Sequence, residues 1–245
     1  MKVKLGSVLS KVALFLSLYV ATAFGPDLQY HYLRSYVGSQ TFLVTNPESR
    51  GSGTGWVARV PGKDNVVITN IHVCEGVVKA SPSGRIVLKQ GDKTFKTYIL
   101  KKFRKHDLCA LKAPEGFMGL FVGMGSSYAG RELYSVGHPS GFPLTLSKGR
   151  VIGIGPITIA LAQVAKPSDC PKGTMPMSDY LSFYCVKGYE AVQSNMIILP
   201  GNSGSPVVDT FGRVVGVVFA GNNSTNWGLW IPDTYLNEFI AELAK

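Results

Sequence analysis

Short runs of β-branched and apolar residues, separated by turn residues, fill most of the chain after about residue 40. Runs of about four to eight such residues bounded by glycine, proline, asparagine or aspartate predict β-strands. The predicted strands are Thr41–Thr45, Gly55–Val60, Val66–Thr69, Arg85–Leu88, Thr97–Leu100, Leu133–Gly137, Gly149–Ile154, Ala191–Ile198, Pro206–Val208 and Val214–Phe219. Helical periodicity is convincing only in the last stretch, where Asp233 can cap a helix whose apolar face holds Tyr235, Leu236, Phe239, Ile240 and Leu243.

Two blocks of strands flank the glycine-rich stretch Pro114–Gly130, which we interpret as a linker. Strands at this spacing predict an all-β fold of two packed six-stranded antiparallel barrels with a C-terminal helix. The first barrel is expected over about residues 35–115, the second over about 128–230, and the helix over 233–244. The 28 glycines and the charged fraction of only 16% agree with an all-β domain that has many tight turns.

Residues 1–23 have the pattern of a signal peptide. Three lysines precede an apolar run that ends in Ala21-Thr22-Ala23, a small-x-small cleavage pattern. An uncleaved anchor is the alternative, but the run is shorter than the roughly 20 apolar residues that span a bilayer. We therefore expect a secreted or periplasmic domain of residues 24–245 with no stable membrane insertion after cleavage. Whether residues 24–50 form a removable propeptide stays open.

The net charge of +10 is concentrated in residues 89–105, where basic residues alternate with apolar ones. This alternation favours strands with a solvated basic face, although weak contact with a polyanion is a second interpretation. No zinc-finger or RNA-binding signature accompanies the run, so no specific nucleic-acid partner is expected. The four cysteines match no zinc framework and are compatible with two disulfides in an exported protein. Neither a metal nor another cofactor is predicted.

Three residues with complementary chemistry lie in separate β contexts. A β-branched strand ends at His72, Asp107 precedes a second apolar strand, and Ser203 lies in a glycine-rich turn ahead of a third. A serine hydroxyl needs a base to take its proton, and imidazole suits that role near neutral pH. A buried carboxylate then orients the imidazole and stabilises its protonated form. Each residue alone is a weak signal, but together they predict a catalytic triad.

The turn before the nucleophile also predicts an oxyanion hole. Gly201 allows the turn to aim its own amide and that of Ser203 at a developing oxyanion. The order of histidine, aspartate and serine differs from that of the esterase-type hydrolases, whose nucleophile elbow is absent here. These features predict acyl transfer by serine.

The triad segments resemble those of trypsin-fold serine peptidases, nearest to the high-temperature-requirement (Deg) proteases and the bacterial glutamyl endopeptidases. The resemblance extends from roughly Gly51 to Phe219 and rests on Thr69-Asn70-Ile71-His72-Val73, Asp107-Leu108-Cys109-Ala110 and Gly201-Asn202-Ser203-Gly204-Ser205-Pro206. It implies a serine endopeptidase that forms an acyl-enzyme on protein or peptide substrates. The 42 residues after Ser203 are too few for the peptide-binding domain that Deg proteases usually add. A catalytically silent binding protein with this fold and a polyanion-binding surface protein are the alternatives.

The resemblance also suggests a specificity pocket and one disulfide. By register, Ile197 takes the place of the charged selector of trypsin-like enzymes, and the pocket wall continues through Val218, Phe219 and Gly221. Because none of these side chains is charged, we expect cleavage after small to medium apolar residues.

Relatives with a bridge inside this barrel place it ahead of the nucleophile, which implies a disulfide between Cys170 and Cys185. Whether Cys74 and Cys109 pair with each other or remain buried thiols stays open. A solvent-facing position is expected for His106 and a structural role for His138.

Overall fold

The computed structural model of the chain describes residues 27–46, 51–75, 86–124, 127–170, 174–178, 183–222 and 227–245. The predicted signal peptide lies outside these residues. Among the described residues, no helix combines the length and the apolar character needed to cross a membrane.

The first sheet consists of seven antiparallel strands in the order β5-β4-β1-β2-β3-β7-β6. Its strands are β1 (Thr41–Asn46), β2 (Gly51–Ala58), β3 (Val66–Asn70), β4 (Ile86–Gln90), β5 (Lys93–Thr97), β6 (Ile99–Phe103) and β7 (Leu108–Lys112). Strands β5 and β6 are consecutive parts of one extended segment, interrupted at Tyr98, whose carbonyl accepts a hydrogen bond from the amide of Lys112 in β7. Because one segment supplies both ends of the sheet, the sheet closes into a barrel.

The second sheet has the order β10-β11-β14-β13-β12-β8-β9, and pairing between β11 and β9 closes six of its strands into a ring. Its strands are β8 (Glu132–Gly137), β9 (Thr145–Val164), β10 (Met175–Ser178), β11 (Phe183–Ser194), β12 (Pro206–Val208), β13 (Val214–Asn222) and β14 (Trp227–Pro232). Strand β10 adds to the outside of β11. The predicted all-β class with two antiparallel barrels is confirmed.

Three apolar clusters hold the fold together. Phe42, Leu88 and Leu111 are fully buried inside the first barrel, and Leu133 and Trp230 are fully buried inside the second. The third cluster joins the two barrels and the helices, with members such as Leu33, Trp56, Ile68, Leu120, Val208 and Phe239. The two barrels are therefore joined by a continuous apolar layer.

The described residues include three α-helices, which are α1 over residues 27–38, α2 (Ile71–Glu75) and α3 (Asp233–Leu243). The prediction that only the last stretch is helical is therefore wrong. Helix α1 buries Leu33 and Val37 completely. Asp233 is the first residue of α3 and follows the N-cap residue Pro232, so it does not precede the helix as predicted.

Residues 27–46 belong to the packed domain. Strand β1 pairs with both β2 and β4, which makes it an internal strand of the first sheet. Removal of these residues would expose two strand edges, a change that promotes aggregation. The structure therefore favours a domain that retains this segment over one that sheds it as a propeptide.

The basic run over residues 89–105 belongs to β4, β5, β6 and the turn that follows. Lys101 pairs with Glu242, while Lys102 and Arg104 both pair with Glu75. The lysines of β5, Lys93 and Lys96, are exposed to solvent. Much of the run therefore has a structural role.

Candidate active site

His72 and Asp107 form a direct ion pair where β3 and β7 meet. His72 lies in α2 immediately after β3, and its Nδ1 is 2.7 Å from Oδ2 of Asp107. Its backbone amide donates to the other carboxylate oxygen at 3.2 Å. The carboxylate is 14% exposed and the imidazole 41% exposed, so the acid is sheltered while the base faces the cleft. Since Nδ1 is held by Asp107, Nε2 remains to exchange a proton.

The backbone of Asp107 lies in the left-handed region, with φ of +56°. Such a conformation costs a residue other than glycine on the order of 1–3 kcal/mol and requires support from its surroundings. The Asp107 carbonyl receives that support from the amide of Ile71 and from Nδ2 of Asn70, both at 3.1 Å. The segment around the base therefore also fixes the acid.

The second barrel contributes two titratable side chains near the ion pair, Lys187 and Tyr189. Burial lowers the pKa of Lys187, whose ammonium group donates to the carbonyl of Arg104 at 2.8 Å. Burial and the nearby Asp107 charge raise the pKa of Tyr189 to about 12.

The prediction of a solvent-facing His106 is wrong. The residue is 6% exposed and stacks on Tyr235 with ring centroids 3.6 Å apart. Burial, followed by the charge of Lys105, lowers the pKa of His106 and favours its neutral form.

Ser203 occupies a tight turn between two glycines with positive φ, Gly201 at +90° and Gly204 at +87°. The Ser203 carbonyl accepts a hydrogen bond from the amide of Thr54 in β2 at 2.8 Å. A side chain at Gly204 would collide with the carbonyl of Thr54, so only glycine allows this close approach. The Ser203 turn of the second barrel is thus in direct contact with β2 of the first barrel.

This contact with β2 brings Ser203 close to α2, the helix that contains His72. A Cβ at Gly53 would lie 2.8 Å from the Ser203 carbonyl oxygen and 2.5 Å from a methyl group of Val73. These contacts place the backbone of Ser203 near α2, which carries His72, and no hydrogen bond joins Ser203 to His72 among the described residues. Catalytic hydrogen bonds are often long in enzymes without substrate and tighten when substrate binds.

The backbone amides of Gly201 and Ser203, which are predicted to bind the oxyanion, point away from the neighbouring backbone donors. The carbonyl of Pro200 accepts from the amide of Ser140 at 2.5 Å, and that of Asn202 accepts from Ser205 at 2.9 Å. In a trans peptide the carbonyl and the following amide point in opposite directions, so the amides of Gly201 and Ser203 point away from these donors. Neither amide donates to a backbone carbonyl in the part of the chain that the structure describes.

The pocket residues lie in a different arrangement from the predicted one. Ile197 is 56% exposed, whereas Ile198 is 5% exposed. A Cβ at Gly221 or at Gly228 would lie within 2.8 Å of a side-chain carbon of Ile198. Ile198 therefore takes the inward place expected for Ile197.

The remaining predicted pocket residues are mostly core residues. Val218 is fully buried inside the second barrel, and Phe219 is 6% exposed in the layer between the barrels. Gly221, the fourth predicted residue, lies against Ile198. The assignment of Ile197, Val218, Phe219 and Gly221 to a substrate pocket stays a prediction, to which the structure adds Ile198 as the inward residue of the segment before Ser203.

Two disulfides are present, Cys170 with Cys185 and Cys74 with Cys109. The first ties the start of β11 to the segment after β9. The second joins α2, which carries His72, to β7, which follows Asp107. The described residues contain no group of three or more histidine, cysteine, aspartate or glutamate side chains that could hold a metal ion.

Comparison with known proteins identifies the family. Residues 53–217 match the family model of the trypsin-like peptidase domain, and the chain belongs to this family. Protease Do-like 8, chloroplastic, from Arabidopsis thaliana is 28% identical over 187 residues, which are 71% of this chain and 36% of that protein. Serine protease Do-like HtrA from Bacillus subtilis is 24% identical over 196 residues, covering 78% of this chain and 38% of that protein.

A third relative carries the name "Probable periplasmic serine endoprotease DegP-like", from Hahella chejuensis. It is 26% identical over 189 residues, covering 76% of this chain and 33% of that protein. The chain thus spans only about a third of the length of these curated relatives. The predicted resemblance to the Deg type is confirmed.

Solved structures agree on the fold. The active form of the Rv3671c protease from M. tuberculosis superposes with a TM-score of 0.65 at 19% identity, covering 88% of this chain and 86% of that one. The HtrA-type protease AlgW with a tripeptide gives a TM-score of 0.64 at 18% identity, covering 88% of this chain and 64% of that one. At these identities, the structures establish the trypsin fold alone.

Proposed function

We propose that the protein is a serine endopeptidase that hydrolyses peptide bonds through an acyl-enzyme on Ser203. The observation that carries this proposal is the His72–Asp107 ion pair, close to the Ser203 turn. In that turn the amides of Gly201 and Ser203 donate to no backbone carbonyl of the described residues. Ser203 Oγ attacks the peptide carbonyl while His72 Nε2 takes its proton, and His72 then donates that proton to the leaving amine. A water molecule, deprotonated in the same way, cleaves the acyl-enzyme ester and releases Ser203.

Electrostatic stabilisation comes from the chain's own groups. The amides of Gly201 and Ser203 donate hydrogen bonds to the oxyanion of each tetrahedral intermediate, and one such donor is typically worth about 3–4 kcal/mol of the barrier. Asp107 keeps Nδ1 of His72 protonated and stabilises the imidazolium that forms during attack. The sheltered carboxylate and the more exposed imidazole fit these two roles.

The cleaved bond is proposed to follow a small to medium apolar residue, such as valine, alanine, leucine or isoleucine. The side chain of Ile198 fills space between Gly221 and Gly228, which limits how large an inserted side chain can be. No charged group faces this space from Ile198 or the two glycines, so a buried lysine or arginine of the substrate would lose its hydration without gaining a partner. The smaller residues of this set should be cleaved fastest.

The proposed location is outside the cytoplasm, as a secreted or periplasmic enzyme acting on proteins or peptides. The leader pattern of residues 1–23 and the presence of two disulfides support this location, because disulfides persist in oxidising compartments. The printed name of the Hahella chejuensis relative, which includes the word periplasmic, supports it as well.

Mass-spectrometric analysis of cleavage in a defined peptide library tests both parts of the proposal. The wild-type protein should cut after small apolar residues, and the Ser203→Ala variant should give no cuts above background. Ile198→Ala enlarges the space beside the two glycines and should shift cleavage toward leucine and phenylalanine. Efficient cutting by the Ser203→Ala variant would refute the mechanism. Efficient wild-type cutting after arginine, lysine or glutamate would refute the specificity alone.

A further inference from the structure

Thr54 in β2 makes three hydrogen bonds to the loops that form the oxyanion hole. Its amide donates to the Ser203 carbonyl at 2.8 Å, and its hydroxyl donates to the Gly201 carbonyl at 2.9 Å. The same hydroxyl accepts from the amide of His138 at 3.0 Å. Thr54 is fully buried, so water cannot replace these bonds. One side chain of the first barrel thus connects two loops of the second.

Gly201 is the residue that most needs such support. Glycine populates positive and negative φ with similar ease, so both peptide planes beside Gly201 can rotate at little cost. The Ser140 amide holds the plane before Gly201 through the Pro200 carbonyl. The plane after Gly201 is held by the Thr54 hydroxyl through the Gly201 carbonyl, and by the Asn202 amide, which donates to the Leu199 carbonyl at 3.1 Å. These bonds together restrict the direction of the Gly201 amide, which is one of the two proposed oxyanion donors.

The loop that provides the Ser140 amide depends on Thr54 as well. Ser140 has a φ of +51°, an unusual value for a residue other than glycine, and it is solvent-exposed. The loop is fastened at its start, where the His138 amide donates to the Thr54 hydroxyl and Nδ1 of His138 lies 3.1 Å from the Phe142 carbonyl. Loss of the hydroxyl would leave the buried His138 amide and the partly buried Gly201 carbonyl without this partner.

We propose that the Thr54 hydroxyl is a positioning group that holds the Gly201 amide in the orientation needed to bind the oxyanion. Thr54 does not touch the reacting atoms itself and acts through Gly201. This inference rests on the proposed peptidase function, because an oxyanion hole has a use only in acyl transfer. It predicts that Thr54 affects the chemical step more than substrate binding.

Steady-state kinetics of matched variants test the proposal. Thr54→Val keeps the side-chain shape and removes the hydroxyl, while Thr54→Ser keeps the hydroxyl. Thr97→Val is the control, since Thr97 is also buried and its hydroxyl also donates to a single carbonyl, that of Lys112, away from the cleft. We expect Thr54→Val to lower kcat about 10–100-fold with little change in KM, because a misaligned donor forfeits part of its contribution. Thr54→Ser should recover most of this loss, and Thr97→Val should behave as wild type.

Equal kcat values for Thr54→Val and Thr97→Val would overturn the inference, and so would a Thr54→Ser variant as impaired as Thr54→Val. If the valine variant does not fold, Thr54→Ala removes the hydroxyl with less steric demand and provides the same comparison.

Amide hydrogen exchange over residues 199–205 gives a readout that is independent of turnover. Exchange should be faster in the hydroxyl-free variants than in Thr54→Ser and Thr97→Val, and unchanged exchange would contradict the positioning role. An inactive wild-type protein would instead refute the proposed function, so the two failures are distinguishable.

Discussion

Removal of the Cys74–Cys109 disulfide tests how the structure links stability to the active site. Cys74 lies two residues after His72 in α2, and Cys109 lies two residues after Asp107 in β7. The bridge closes a sequence separation of 35 residues, and both of its cysteines are buried. Closing a loop of this length lowers the entropy of the unfolded chain by an amount equivalent to about 4 kcal/mol. We therefore expect the Cys74→Ala/Cys109→Ala variant to lose about 4 kcal/mol in its free energy of unfolding.

Loss of this bridge should reduce stability much more than activity. The carbonyl of Asp107 is held by Ile71 and Asn70, and its carboxylate is held by the backbone and ring of His72. These bonds do not depend on the disulfide, so the folded variant should retain kcat within about 10-fold of wild type, which corresponds to about 1.4 kcal/mol.

The Cys170→Ala/Cys185→Ala variant is the matched control. Its bridge closes a separation of only 15 residues, for which the same reasoning gives about 3 kcal/mol. Urea unfolding followed by tryptophan fluorescence measures both losses, and initial rates at a temperature where both variants are folded measure activity. The reasoning would be refuted if the Cys74→Ala/Cys109→Ala variant were the more stable of the two, or if it were folded and lost several orders of magnitude in kcat.

Two further predictions concern the catalytic residues and a buried histidine. Ser203→Ala and His72→Ala should each lower kcat by several orders of magnitude. Because triad residues act as a unit, the double variant should be little worse than either single variant. Strictly additive losses in steady-state assays would refute the assignment. Burial lowers the pKa of His138 below its usual value of about 6.5. The unfolded chain therefore takes up the proton first, and the free energy of unfolding should fall as the pH drops below about 6.5, by at most about 1.4 kcal/mol per pH unit. Urea titrations should show a smaller fall for His138→Gln, and an identical pH dependence would contradict this role.

The pH window of the histidine effect is separate from that of the carboxylates. Hydrogen bonding to Lys148 lowers the pKa of Glu132 from 4.5, so its contribution to stability is present above pH 4.5 and is lost as the pH falls through the lower folded pKa. His106, whose pKa is also lowered by burial, acts in the same direction as His138. Comparison of variants between pH 5 and 6.5 therefore isolates the histidine contribution.

The triad segments could be predicted because each one lies at the end or the start of a strand with an unambiguous pattern. The run before His72 is β-branched and apolar, and all five residues of β3 are buried. Four of the five residues of β7, after Asp107, are also buried. Strands buried on both faces give continuous apolar runs, which remain visible in a single sequence. The triad residues stay predictions, but the strands that flank them are where the pattern places them.

Which residues of the segment before Ser203 face inward could not be predicted, because side chains alternate along an extended segment. From Met196 to Leu199 the burial alternates, with Met196 and Ile198 inward and Ile197 and Leu199 outward. A phase error of one residue exchanges the two faces, and all four residues are apolar, so composition cannot correct the error.

Helix α1 was missed for a similar reason. Its two fully buried residues, Leu33 and Val37, stand among exposed aromatic residues that obscure the periodicity. Thr54 carried only a weak signal, a small polar residue between two glycines. Its hydrogen bonds to the second barrel depend on how the two barrels pack, which no local pattern reports.

Reaction with a fluorophosphonate probe, followed by intact-mass measurement and peptide mapping, tests the central claim most directly, because such a probe phosphonylates only an activated serine. The structure predicts one adduct per wild-type chain, located on Ser203, and a greatly slowed reaction in the folded His72→Ala variant. An adduct on a different serine, no adduct on folded wild-type protein, or an equal rate in the His72→Ala variant would contradict the assignment of Ser203 as a nucleophile activated by His72.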